Sequence, residues 1–217
     1  MPTPRLLLSA CATLLLTAVH AVELPPTANP LTPTKTIVLI GDSITHGGKW
    51  DELLARPEVL SWGIPGYTTG QLAWTFKDIL RDHPTVKIAL LNGGINDLSL
   101  GVSADRVYEN QVKAIAWWLD HHVTPVIEST ILQVEAPDIN PQINGLNARL
   151  RTYCEANQVQ FIDLNAALAP AGHLRAELST DGTHLKPEAY PLWARLVNDC
   201  LAQLSPVNQP KSPARPN

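Results

Sequence analysis

The sequence is poor in cysteine, in blocks of like charge and in long uninterrupted apolar runs, and each shortage closes off a class of function. Sixteen basic residues stand against 20 acidic ones in 217, a formal charge of −4, and neither sign forms a block. A broad basic surface for nucleic acid or anionic membrane is therefore not expected. The longest apolar stretch lies within "MPTPRLLLSACATLLLTAVHA", residues 1–21, where Ser9, Cys11 and Thr13 interrupt it too often for a membrane span. No G-x-G-x-x-G occurs. "GDSITHGGKW" misses the phosphate-loop spacing and has Trp50 where Ser or Thr should stand, so nucleotide binding fails as a reading. His46, His83, His121, His122 and His173 show no metal-ligand spacing, and His121-His122 suit a helix carboxyl end. No metal or other cofactor is expected.

Residues 1–21 have the form of a signal peptide: one positive charge at Arg5, an apolar stretch, then Val19-His20-Ala21 as a cleavage site. Export to the periplasm or beyond is the expectation. "LSAC", 8–11, resembles a lipoprotein box with Cys11 as the lipidated residue, but only three leucines precede it and the apolar stretch runs on. Cleavage after Ala21 would leave Cys154 and Cys200, which an oxidising compartment allows to form one bridge; two buried helical thiols are the alternative.

Proline marks the ends of the domain. "ELPPTANPLTPTK" makes 22–35 an extended leader, and 204–217 is a proline-rich tail expected to be disordered. Between them, 36–203 reads as a single domain without internal repeats. Thr36–Ile40, Val59–Trp62, Val86–Leu91, Pro125–Ser129 and Gln160–Leu164 are expected strands. Helical spacing fills the intervals at Thr69–Arg81, Ser103–His122, a stretch opening with Asn140 as cap and Pro141 in the first turn, and Lys186–Leu204. Such alternation predicts a parallel sheet covered on both faces, with working groups gathered beyond the carboxyl ends of its strands.

The loops at that edge carry chemistry. Gly41-Asp42-Ser43 follows the first strand, "SWGIPGYTTG" the second, and "NGGINDL" the third, while "STDGTHLKPE" precedes the last helix. A serine hydroxyl attacks well only when a base removes its proton, and His184 is the candidate base. Asp181, three residues earlier, is close enough to hold the far ring nitrogen. Backbone N–H groups at Ser43 and Gly66, with the side-chain amide of Asn96, are candidate donors to an oxyanion. A side chain at 66 is expected to obstruct the approach of substrate to the backbone. Asp42 sits next to Ser43, awkwardly for the distal side of His184, so a supporting bond suits it better. Asp97 is read as an anchor for the Asn96 loop or as a substrate contact. Trp117, Trp118 and Trp193 are expected in the core, and Trp50 and Trp62 near the cleft.

"GDSIT", "GIPG", "GIND" and "DGTH", in that order, resemble the four sequence blocks of the SGNH (GDSL-type) hydrolase superfamily, over nearly all of 36–203. The resemblance implies a flavodoxin-like three-layer α/β/α sandwich with a five-stranded parallel sheet and no metal. It implies Ser43 as nucleophile, Asp181 and His184 completing the triad, and Ser43, Gly66 and Asn96 as the oxyanion hole. Two positions depart from the pattern: Ser61 stands where the family often has Asn, and Ile44 where its name has Leu. "GIPGYTT", "LNARL" and "STDGTHL" are most similar to the acetylhydrolase-like and carbohydrate acetylesterase branch. An exported esterase removing acetyl groups from a glycan or similar alcohol is the expectation. The alternatives are a lysophospholipase or thioesterase acting on longer acyl chains, and an inactive carbohydrate-binding module on the same fold.

Overall fold

A computed structural model describes residues 34–204; the expected signal peptide, Cys11, the leader up to residue 33 and the tail from 205 lie outside the described residues. The apolar runs form five strands: β1 (Ile37–Gly41), β2 (Val59–Gly63), β3 (Ile88–Leu91), β4 (Thr124–Glu128) and β5 (Gln160–Ile162). All neighbours pair in parallel, in the order β2-β1-β3-β4-β5. Strand β1 is buried along its whole length and β3 nearly so, which is why both read as continuous aliphatic runs rather than alternating ones. At the edge, β2 buries only Val59 fully.

Helices occupy every connection. After β1 come α1 (Ser43–His46) and α2 (Trp50–Leu53); after β2, α3 (Thr69–Trp74) and α4 (Phe76–Asp82). After β3 come α5 (Ile95–Ser99) and α6 (Ala104–Asp120); after β4, α7 (Asn140–Ala156); after β5, α8 (Asn165–Leu168) and α9 (Tyr190–Leu204). Right-handed crossovers put α3 through α7 on one face, where Phe76 packs against Trp117 and Trp118 and α6 lies along α7. On the other face α9 packs against α2 and α8, with Trp50 wedged against Tyr190 and Trp193. The expected three-layer α/β/α sandwich is the observed one. Strand order reverses at β1, so the crevice lies between the carboxyl ends of β1 and β3.

Several local expectations are corrected. The helix expected over Thr69–Arg81 is two, broken at Thr75, whose N–H and hydroxyl both donate to the Leu72 carbonyl at 3.0 and 2.8 Å. That back-bonding tightens the turn and ends α3. Asn140 does not cap α7; it is the first helical residue, and its amide instead brackets Gln133, accepting from its N–H (2.8 Å) and donating to its carbonyl (2.9 Å). The last helix opens with a separate 3-10 turn, Pro187–Ala189. Of the two readings left open for Cys154 and Cys200, the structure has the free buried thiols, and burial pushes each up to about 11. Trp50 is no cleft residue: it is fully buried and its indole N–H donates to the Thr45 carbonyl at 2.7 Å. Trp117, expected in the core, is half-buried and stacks on His121, while Trp118 and Trp193 are fully buried as expected.

Candidate active site

Strand β1 delivers Ser43 through a tight turn. A Cβ at Gly41 would stand 2.1 Å from Thr45 Oγ1 and 3.0 Å from the Asn92 carbonyl, so only glycine lets the chain pass here. Asp42 then serves as N-cap of α1, its Oδ1 accepting from the Ile44 N–H at 2.9 Å. Ser43 is thereby fixed as the first residue of a helical turn, half-buried at the sheet's carboxyl edge.

His184 and Asp181 arrive together on one loop. Ser179 pairs with Leu185 across it, and the Ser179 hydroxyl donates to the His184 carbonyl (3.0 Å) while accepting from the Gly182 N–H (2.9 Å). Asp181 Oδ1 accepts from the N–H groups of Thr183 (3.0 Å) and His184 (2.8 Å), and its Oδ2 lies 2.7 Å from His184 Nδ1. The His184 backbone N–H, then its ring, then the Thr183 N–H hold the Asp181 carboxyl down at about 2. An ionised carboxylate can only accept, so the ring nitrogen facing it carries the proton. Nε2 is left to accept, and Ser43 Oγ stands 3.0 Å from it. Three side chains expected to meet therefore form one hydrogen-bonded chain, bridging 141 positions of sequence between Ser43 and His184.

The other candidates fall into two groups. The Asn96 amide donates to the Tyr67 carbonyl at 3.0 Å, tying the loop after β3 to the loop that contains Gly66. Backbone N–H groups of Ser43 and Gly66 carry no intramolecular hydrogen bond among the described residues. At Gly66 a Cβ would meet no protein atom within 4 Å, and φ is +79°, a left-handed conformation that glycine adopts without strain. Asp42 does not reach the His184 ring as a partner. It caps α1, its Oδ2 is buried without a partner among the described residues, and burial raises it to about 6, offset by the Ile44 N–H and the nearby His184. Asp97 is 1% exposed and accepts from the Thr69 N–H (2.8 Å) and hydroxyl (2.7 Å); it anchors α3 to α5 and is not placed for a substrate contact. Trp62 is half-buried at the edge strand with its ring against His83. Among the described residues no set of three His, Cys, Asp or Glu side chains converges as a metal-binding group, and no helix is long and apolar enough to cross a membrane.

The loop after β4 escaped the sequence reading, which took up the loops after the other strands. Gln133 Nε2 donates to Thr183 Oγ1 (2.9 Å) and the Val134 N–H to the Gly182 carbonyl (2.9 Å), so this loop braces the one that carries Asp181 and His184. Its signal was the polar pair Gln133 and Asn140 bounding the short stretch "VEAPDI".

A serine-bearing turn thus stands at the switch point of a parallel sheet with an imidazole and a carboxylate in line, and the family match makes the chain an ester hydrolase on an α/β fold. The model of the GDSL-like lipase/acylhydrolase family matches residues 39–192, and the chain belongs to that family. In sequence the chain is 27% identical over 147 residues to an N-acylneuraminate cytidylyltransferase of Streptococcus agalactiae, a match covering 64% of this chain and 36% of that protein. The chain thus spans about a third of the length of this curated relative. Among solved structures it is similar to a GDSL-like lipase of Bacteroides thetaiotaomicron, with a TM-score of 0.71 and 21% identity over 82% of this chain and 92% of that one. An acetyl xylan esterase shares the fold at a TM-score of 0.65 and 18% identity, covering 76% and 99%.

Proposed function

We propose that this family member is an exported serine esterase that removes short acyl groups, above all acetyl, from carbohydrate or related alcohols. The observation that carries the reading is the 3.0 Å approach of Ser43 Oγ to His184 Nε2, backed by the 2.7 Å contact of Nδ1 with Asp181. Ser43 Oγ bonds to the ester carbonyl carbon as its proton passes to Nε2. Negative charge moves to the carbonyl oxygen, where the N–H groups of Ser43 and Gly66 and the Asn96 amide receive it. The imidazolium, stabilised by ionised Asp181, returns the proton to the departing alkoxide. Water then attacks the acyl-serine, gives its proton to His184, and releases the acid while Ser43 Oγ is reprotonated.

Exposure argues for the substrate class. The side chains of His184 and Asp181 are 48% and 54% exposed, so a bulky soluble alcohol can reach the base directly. The acetyl xylan esterase of the same fold pairs a short acyl group with such an alcohol. Export rests on residues 1–21, and mass spectrometry of the mature protein should find Val22 at its amino terminus.

Ser43→Ala is the test of the nucleophile: p-nitrophenyl acetate turnover should vanish while circular dichroism is unchanged, and retained activity overturns the assignment. For the acyl group, p-nitrophenyl acetate is expected to outrun the octanoate, and acetylated xylan to outrun lysophosphatidylcholine. The reverse order would assign the enzyme to longer acyl esters.

A further inference from the structure

A second feature lies beside this site. A solvent-open hollow of 680 Å³ is bounded by the loop after β4, the start of α7 and the segment around His173. Its volume lies within the ~300–1,000 Å³ typical of small-molecule sites. Val134 lines it and, through its N–H, is bonded to Gly182, the residue after Asp181, so the hollow abuts the loop that holds the base.

The geometry points to this hollow as the binding site for the alcohol half of the ester, a neutral glycosyl unit, an assignment that rests on the esterase reading above. The direction follows from the proton's path. His184 must hand a proton to the leaving oxygen, so the alcohol extends on the His184 side, while the acyl group lies toward Gly66 and Asn96. The lining matches a sugar in kind. Val134, Pro137 and Pro141 offer apolar surfaces for ring C–H groups, and Glu135, Asn144 and His173 offer polar groups for hydroxyls. These three polar side chains are exposed and none is engaged by another described residue. Glu135 is the one acidic lining group, and the lining has no Lys or Arg, so the site disfavours phosphate or carboxylate on the alcohol.

The test uses Asn144→Trp, which fills the hollow from an exposed helical position, and Glu135→Lys, which reverses its charge. With acetylated xylotriose, Asn144→Trp should raise KM about tenfold, the cost of ~1.4 kcal/mol of lost binding, a larger rise than for p-nitrophenyl acetate, whose single small ring fills less of the hollow. Glu135→Lys should raise the preference for an acetylated oligosaccharide bearing glucuronic acid over the neutral one. Parallel losses on both esters, or an unchanged KM for the oligosaccharide, would overturn the assignment, as would an unaltered neutral-to-acidic ratio. Calorimetry on Ser43→Ala separates this from the esterase reading. Acetylated xylotriose should bind to that variant and about tenfold more weakly to the double variant with Asn144→Trp, whereas ester turnover surviving in Ser43→Ala refutes the nucleophile and leaves the hollow to be judged by its own binding data.

Discussion

Replacing Glu128 with glutamine should make the protein more stable at alkaline pH and leave it unchanged in acid. Glu128 ends β4 with 0% exposure; its Oε1 accepts from the Trp193 indole at 2.7 Å and its Oε2 has no partner among the described residues. Burial raises this carboxyl from 4.5 to about 7, with the Trp193 bond opposing. Below pH 4.5 both folded and unfolded chains hold the proton and nothing is lost. Between 4.5 and 7 the unfolded chain releases it while the fold keeps it, so stability falls, and above 7 the loss levels off. At ~1.4 kcal/mol per decade of proton activity, the fall amounts to about 3 kcal/mol. Glutamine keeps an oxygen for Trp193 and cannot ionise. Urea unfolding followed by circular dichroism should therefore show Glu128→Gln about 3 kcal/mol more stable than the parent at pH 8, and equal within ~1 kcal/mol at pH 4. The contribution of Asp42, also raised by burial, is common to both proteins and cancels in the comparison. Parallel pH profiles would refute the reasoning, because they would mean that Glu128 meets water in the fold.

Asn96→Ala should lower kcat by roughly 10²–10³ if the amide receives the oxyanion; a change confined to KM would make it a binding group instead. Ester turnover should fall on acidification, as a proton occupies the His184 nitrogen that must accept from Ser43, with Asp181 ionised down to about 2. EDTA should leave the rate unchanged, and a loss restored by a divalent ion would refute the metal-free scheme. Asp97→Ala strips the buried Thr69 N–H and hydroxyl of their acceptor and should cost about 3 kcal/mol in urea unfolding; a cost below ~1 kcal/mol would show that the α3 start finds another partner. Cys154 and Cys200 should react with Ellman's reagent only after unfolding. Absence of both thiols from unfolded, unreduced protein would reveal a bridge.

The strands were legible because burial on both faces writes itself as short aliphatic runs, and the site because its loops follow those runs directly. Asp181 and His184 are three residues apart, so their pairing needed only local geometry. What stayed hidden depends on partners distant in sequence or on elements too short for a period. Helices α1, α2 and α8 have four residues each, a single turn that shows no apolar repeat. Trp50 looked like a cleft aromatic until Tyr190 and Trp193 closed over it. Glu128 gave no sign of burial, since the indole that covers it lies 65 residues on. The break at Thr75 turns on a single hydroxyl, which apolar spacing cannot register.

The Ser43–His184 contact also fixes when in a chain's life the site comes into being. The ribosome makes the hydroxyl early and the imidazole late, with almost all of the sandwich between them. Under the proposed mechanism a half-translated polypeptide carries an inert serine, and esters in the cytosol are safe from it. Competence would arrive only once α9 has emerged and the final layer has closed.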